Sequence, residues 1–293
     1  MRQIRGRIRT AKNIQQITKA MKMVAAARLK RAQDRVISAR PYAEKMKDVM
    51  GSLGKAGSGT ITHPLLEVRE PVKVGLLVIS ADRGLCGSYS SNVLKKMVEV
   101  LRTSGPTGGP VEPENTKLIL VGRKVQNYFR RRPNPIAGEF TLNMTKPTFA
   151  EAQEIATLAR DLYTSGQVDI IYLVYTKFLS ALVQKPLIGQ LLPMVSEDTG
   201  EAGSSASEDY LFEPDAEALF GQMLPRSVDT LVYQAMIESV ASEHGSRMTA
   251  MSSATDNAGK MISSLTLAAN RARQASITKE LAEIVGGADA LKS

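Results

Sequence analysis

The residues with reactive side chains are few. Cys86 is the only cysteine, and His63 and His244 are the only histidines. A cysteine nucleophile needs a base beside its thiol. His63 lies in a Pro-flanked stretch and His244 far along the chain. Two histidines and one cysteine also fall short of the four ligands of a structural zinc site. Cys86 therefore reads as a small buried thiol, and neither metal nor cofactor is expected. A single cysteine forms no internal disulfide, so nothing points to secretion.

Ser80-Ala81-Asp82-Arg83-Gly84-Leu85-Cys86-Gly87 follows an apolar run and precedes a helical one. A dinucleotide fold carries its phosphate loop at that place. The glycine spacing is Gly-x-x-Gly, however, and a Walker-type Gly-Lys-Ser/Thr is missing. A tight turn with Asp82 and Arg83 at the surface is the better reading, and a reductase built on this domain stands as a third reading that absorbance of bound dinucleotide would reveal.

Charge is unevenly placed. The net charge is +9, and from Met1 to Arg31 there are ten Lys and Arg and no acids. The other 28 basic residues face 29 acidic ones. Such a block suits an anionic partner: nucleic acid, a membrane or an acidic protein surface. A basic coiled-coil protein that binds nucleic acid is the alternative function. Against it, the first aromatic residue is Tyr42, so rings for base stacking are missing, and so is any known binding motif. The block is also Arg-rich and acid-free like a transit peptide. Its apolar stripe runs past any plausible cleavage point, which marks a working part.

The elements that position these residues come in two kinds. At the N-terminus, Ala25, Leu29, Ala32, Val36, Ala39, Ala43, Met46 and Met50 follow an unbroken 4-3 spacing. Ile4, Ala11, Ile14 and Met21 continue it upstream, with Arg7 and Thr18 as polar interruptions and a stutter near Met21. That spacing predicts a coiled-coil seam, and its alanines let a partner helix come close. Fifty helical residues would reach about 75 Å. Pro41 is expected to kink the helix or start a new segment. At the C-terminus, Glu213-Pro214-Asp215 reads as a helix start. A second seam is predicted along Met251, Ala254, Ala258, Met261, Leu265, Ala268, Ala272 and Ala275, ending in the apolar tip Ile277, Leu281, Ile284 and Val285. Two unmatched stripes of similar length are most economically paired with each other, antiparallel. The outer faces are expected to be mostly Lys, Arg, Gln and Ser.

Between the ends, 72–80, 116–122 and 168–175 are short β-rich runs, with another strand at 187–194 and helices near 92–101 and 149–165. Alternating strands and helices imply a mostly parallel sheet. The fold class is α/β: a long antiparallel coiled coil of the terminal helices with an inserted Rossmann-like domain. The expected division is a shaft helix at 1–58, an α/β foot at 70–207 and a second shaft helix at 210–293. Segments 103–115 and 196–209 read as loops.

Three stretches, spaced in order along the chain, carry a family resemblance. They are Ile4-Arg5-Gly6-Arg7-Ile8 with Ile14 to Ala25; Asp82 to Gly87; and Tyr210-Leu211-Phe212-Glu213-Pro214 followed by Ala272 to Ala288. Together they resemble the gamma-subunit family of F-type ATP synthases over nearly the whole chain. The resemblance implies a non-catalytic rotary shaft, peripheral on the cytoplasmic side of a bacterial cell membrane. Its implied partners are the alpha and beta subunits of the catalytic hexamer, the epsilon subunit and the membrane c-ring, with no nucleic acid and no small-molecule ligand. It also implies partner-contact roles for Met23, Gly84, Cys86, Gly87, Tyr210, Arg247, Arg273, Gln274, Thr278 and Glu280. Ser90 departs from the family pattern, where an Asn is common, in a loop expected to hold shape rather than chemistry. A lone Cys86 does not support the thiol regulation of the chloroplast form, and the lack of its insert and of a transit segment points to a bacterial protein.

Overall fold

A computed structural model describes residues 2–56, 63–103, 109–143, 145–194 and 216–290. The elements are α1 (Arg2–Ala56), β1 (Val74–Ile79), α2 (Tyr89–Thr103), β2 (Thr116–Val121), α3 (Arg123–Phe129), β3 (Ile136–Phe140), α4 (Phe149–Thr164), β4 (Ile170–Phe178), β5 (Gln184–Leu192) and α5 (Ala216–Ala290). They divide into two compact units: Met1–Ala25 with Arg247–Ser293, and Ala26–Ser246.

The first unit is a pair of helices. Thr255 Oγ1 donates to Thr18 Oγ1 at 2.8 Å, and Lys22 Nζ donates to Ser252 Oγ at 3.0 Å. Gln15 lies against Gly259. The partner number falls as the α1 number rises, so the two helices run antiparallel, as expected. Their seam is built of Ala11, Thr18, Ala25, Met251 and Ala258, all buried.

The register differs from the expected one in two places. Upstream of Met21 the inward positions are Ile8, Ala11, Gln15 and Thr18, while Arg7 and Ile14 are exposed. Thr18 is thus a seam residue whose hydroxyl is satisfied across the pair. Beyond Ala258 the half-buried positions are Ile262, Leu265, Ala269 and Ala272, while Met261, Ala268 and Ala275 are exposed. The stripe stays at 4-3 spacing but is displaced by one residue at two positions. The helix continues through Pro41 without interruption. The proline ring costs a backbone bond, but α1 packing holds the segment helical: Leu29, Ala32, Val36 and Met46 on either side are all buried.

The second unit is built on a five-stranded sheet of order β3-β2-β1-β4-β5. The first four strands are parallel and β5 is antiparallel to β4. β1 is buried along its whole length, as the central strand of a parallel sheet must be. Leu76, Val78, Leu118 and Leu120 form one core with Val93, Met97 and Val100 of α2 and Val125 and Phe129 of α3. The alternate residues Leu77, Ile79, Ile119 and Val121 point to the opposite face and are equally buried. α4 opens with Thr148 and Glu151 as reciprocal caps. Arg160 of α4 donates to Pro225 O at 2.8 Å and pairs with Asp229 at 2.9 Å, which ties α4 to α5. The expected α/β class and mostly parallel sheet are observed. α3 and β3 were not foreseen.

The antiparallel pairing gives a direct test. Thr18 and Thr255 face each other across the pair, their hydroxyl oxygens 2.8 Å apart, so cysteines there are placed to meet. Thr18→Cys with Thr255→Cys, on a Cys86→Ser background, should oxidise within one chain and migrate as a monomer on non-reducing gels. Exclusively intermolecular dimers would contradict the pairing.

Candidate partner-contact surfaces

The turn after β1 is held from several sides. Ser80 N donates to Val121 O at 2.8 Å and Lys124 N to Ala81 O at 3.0 Å. Asp82 Oδ1 accepts from Arg123 N at 2.9 Å. The turn therefore leans on the end of β2 and the start of α3. Gly122 permits this approach: its φ is +103°, and a Cβ there would stand 2.3 Å from Ser80 O. Leu85 adopts φ +64° with its side chain 62% exposed, and Gly87 follows at φ +57°. Holding a leucine in left-handed backbone costs energy that the surrounding bonds must offset.

Within this turn Gly84 and Gly87 are exposed and the Cys86 thiol is buried. Cys86 Sγ sits 3.7 Å from Arg83 O and 4.0 Å from Ser90 Oγ. The cysteine is a packed thiol, and its carbonyl is the more engaged group. Cys86 O accepts from Tyr89 N at 3.2 Å and from Ser246 Oγ at 2.7 Å.

Behind the turn lies a buried polar stretch of α5: Ser239, Ser242, Glu243 and His244 are all 1% exposed or less, and so is Glu238. Tyr89 is buried beside Glu243, and burial first, then that carboxylate, pushes its hydroxyl pKa well up. Burial likewise raises the Glu238 carboxyl, against a bond from Gln234 Nε2 at 3.1 Å and the Phe178 backbone N–H. Burial raises Asp229 as well, opposed by Arg160 and Arg226. Of this polar set only His244 was singled out from sequence, as one of two histidines. The set's only sequence signal is polar residues recurring inside an apolar helix.

The remaining candidates sit in the first unit. Met23 is 60% exposed. Arg247 is half-buried, and Arg273, Gln274, Thr278 and Glu280 are exposed. At about 100° per helical residue, Arg273, Ile277, Glu280 and Ile284 share one face, with Gln274, Thr278 and Leu281 beside it. Apolar and polar groups alternate there, and Ile277, Leu281 and Ile284 are all exposed. Ile14, Ile17 and Val24 add an exposed apolar stripe on α1. The outer surface is thus less polar than expected. Tyr210 lies outside the described residues. Among the described residues no group of His, Cys, Asp or Glu is placed to hold a metal ion.

A family model described as ATP synthase matches residues 1–291. The ATP synthase gamma chain of Pelotomaculum thermopropionicum is 46% identical over 292 residues, covering 100% of this chain and 99% of the relative. That of Heliobacterium modesticaldum is 47% identical over 297 residues, covering 99% of each. Among solved structures, a chain of the central stalk and c-ring of Tetrahymena thermophila mitochondrial ATP synthase aligns with TM-score 0.57. It is 25% identical and covers 81% of this chain and 99% of its own. A rotor chain of Euglena gracilis mitochondrial ATP synthase aligns with TM-score 0.66 at 19% identity, covering 94% and 98%; this likeness is one of fold.

The buried acids make a pH prediction. A carboxyl whose folded pKa is raised leaves stability untouched below its unfolded value. It lowers stability as pH rises through the raised value, because the folded state then holds a poorly solvated charge. Glu238→Gln should therefore raise the unfolding temperature relative to the parent at pH 8, and the gain should shrink toward pH 4. An equal difference at both pH values in thermal unfolding would refute a buried ionised Glu238.

Proposed function

This chain belongs to the ATP synthase gamma-chain family, and on that premise we propose that it is the central rotary shaft of an F-type ATP synthase. It couples proton-driven turning of the membrane c-ring to ATP synthesis in the catalytic sites of the beta subunits. The observation that carries the reading is the full-length match joined to a terminal helix pair locked in antiparallel register by Thr18 and Thr255. The working parts are the shaft helices at 1–58 and 210–293 and the α/β foot at 70–207. The foot sits on the c-ring with the epsilon subunit, and the helix pair stands inside the ring of alpha and beta subunits.

The chain is a component of the complex and supplies no catalytic group of its own; the reaction belongs to beta. It is peripheral to the membrane, on the cytoplasmic side. No described helix is long and apolar enough to cross a bilayer.

A rotor inside a socket must avoid strong contacts that favour one orientation. A barrier of about 1.4 kcal/mol slows a step ten-fold, and a well-formed ionic hydrogen bond exceeds that. Apolar contact is non-directional. The exposed Ile14, Ile17, Val24, Ile277, Leu281 and Ile284 supply contacts that slide rather than lock. Met23, Arg247, Arg273, Gln274, Thr278 and Glu280 are the shaft residues that meet beta or set coupling. Gly84, Cys86 and Gly87 form the turn below the hexamer, and Tyr210 belongs to the foot.

Two experiments on the assembled complex test this. A disulfide from Met23→Cys to a cysteine in the adjoining beta subunit should stop multi-turnover ATP hydrolysis, and reduction should restore it. Full-rate hydrolysis with crosslinking complete would make the chain a static scaffold. A tether at Ile284→Cys should slow turnover less, since a helix end can swivel about single bonds. Arg273→Ala with Gln274→Ala should lower turnover of the reconstituted complex while the isolated chain stays folded, each charge-assisted bond being worth about 1.5–3 kcal/mol. Unchanged turnover would remove both residues from the contact set.

A further inference from the structure

We propose that residues Glu238–Ser246 of α5 are a keyed joint, a segment whose directional polar contacts fix the helix azimuth in the foot so that torque passes into α5 instead of being lost as slip. The inference rests on the rotor reading above.

Three separate elements grip this stretch. From β4, Thr176 O accepts Ser242 Oγ at 3.1 Å, and the Phe178 backbone N–H lies at the Glu238 carboxylate. From the β4–β5 hairpin, Ala181 O and Gln184 Nε2 close on Gly245 so tightly that a Cβ there would stand 3.1 Å from each. That hairpin is itself stiffened, because Gln184 Nε2 donates to Ala181 O at 2.9 Å and Ser180 Oγ accepts from Val183 N at 3.0 Å. From the turn after β1, Cys86 O accepts Ser246 Oγ at 2.7 Å, and Tyr89 stands beside Glu243.

Helical spacing of about 100° per residue spreads these contacts around the helix. Gly245 and Glu238 lie at one edge, Ser242 and Ser246 in the middle, and Glu243 at the other edge. Together they cover an arc of about 160°. Apolar packing alone would hold α5 against the sheet but resist rotation about its own axis weakly, because such contact has no preferred direction. Hydrogen bonds weaken steeply when misaligned, so those of Glu238, Ser242 and Ser246, spread over about 80° of the helix, oppose twist, with the close approach at Gly245 beside them. The contrast with the surface is direct: apolar residues lie where the rotor slides, and buried hydroxyls and acids lie where it is gripped. Ser246 is the last residue of its unit, and α5 runs on as one element to Ala290. The joint thus sits where torque would leave the foot along that helix. It also gives the Asp82–Gly87 turn a second task, since the Cys86 carbonyl is one of the keys.

The test uses the assembled complex with the Met23→Cys disulfide to beta closed and an optical probe on the foot. Thermal angular fluctuation of the probe reads torsional compliance. Ser242→Ala with Ser246→Ala should raise its angular variance at least two-fold. Ser246→Thr, which keeps a hydroxyl, should match the parent. Unlocked, the double variant should pump fewer protons per ATP hydrolysed, with the unfolding temperature of the isolated chain shifted by no more than a few degrees. If the double variant assembles poorly, the Ser246→Ala single variant serves. Variance equal to the parent in both alanine variants overturns the joint. Ser263→Ala with Ser264→Ala, exposed positions on the same helix, should leave the variance alone; an equal rise there would show general helix softening and also overturn it. The rotor reading fails separately, if the unlocked parent shows no ATP-driven rotation of the probe.

Discussion

The whole architecture depends on two helices far apart in sequence meeting along a seam of small residues. Ala11, Ala25 and Ala258 bury little surface each, so the seam gains less from burial than a leucine seam would. What the alanines give is close approach, and close approach brings hydroxyls on opposite helices within bonding distance. Thr18 and Thr255 meet at 2.8 Å because nothing bulky stands between them. A polar pair inside a seam adds a contact specific to this register, beyond the bonds each hydroxyl makes within its own helix, Thr18 to Gln15 O at 3.1 Å and Thr255 to Met251 O at 2.7 Å. A shaft that must keep one asymmetric shape while turning needs a single register more than it needs maximal stability.

The α/β unit solves a different problem. Its sheet offers a rigid plate with β1 buried on both faces, and α5 is laid into it through an unusually polar stretch. Burying Glu238 and Glu243 costs desolvation that an apolar helix would avoid. The return is directionality. Each buried hydroxyl or carboxylate accepts only certain geometries, so the helix has one azimuth in the foot. The strained turn at Leu85 belongs to the same arrangement, because its backbone presents the Cys86 carbonyl to Ser246.

Sliding and gripping are thus separated along one chain by the chemistry of the side chains. On the rotor reading, exposed Ile14, Ile17, Ile277 and Ile284 offer partners contact without angular preference. Buried Ser242 and half-buried Ser246 give angular preference through directional bonds. Exposed ion pairs such as Lys30 with Asp34 and Lys279 with Glu283 lie between these extremes and contribute little, being fully hydrated.

The sequence by itself determined the paired helices, the central strands and the family, because each rests on a signal that local residues carry. A 4-3 spacing, a run of Val, Leu and Ile, and a spaced set of motifs need no neighbour to be read. What only the tertiary structure decided are features that depend on a partner surface. β3 is an edge strand without an apolar run, and α3 has seven residues, too few to show a period. Pro41 should end a helix on local grounds, yet flanking burial carries α1 through it. The slip from Met261 to Ile262 follows from where α1 lies, and α5 alone does not encode it. Glu238, Ser239, Ser242 and Glu243 read as a solvated face when the neighbours are unknown, because polarity in a helix normally means exposure. Their burial exists only because β4, the β4–β5 hairpin and the turn after β1 converge on one helix, and that convergence belongs to the assembled fold.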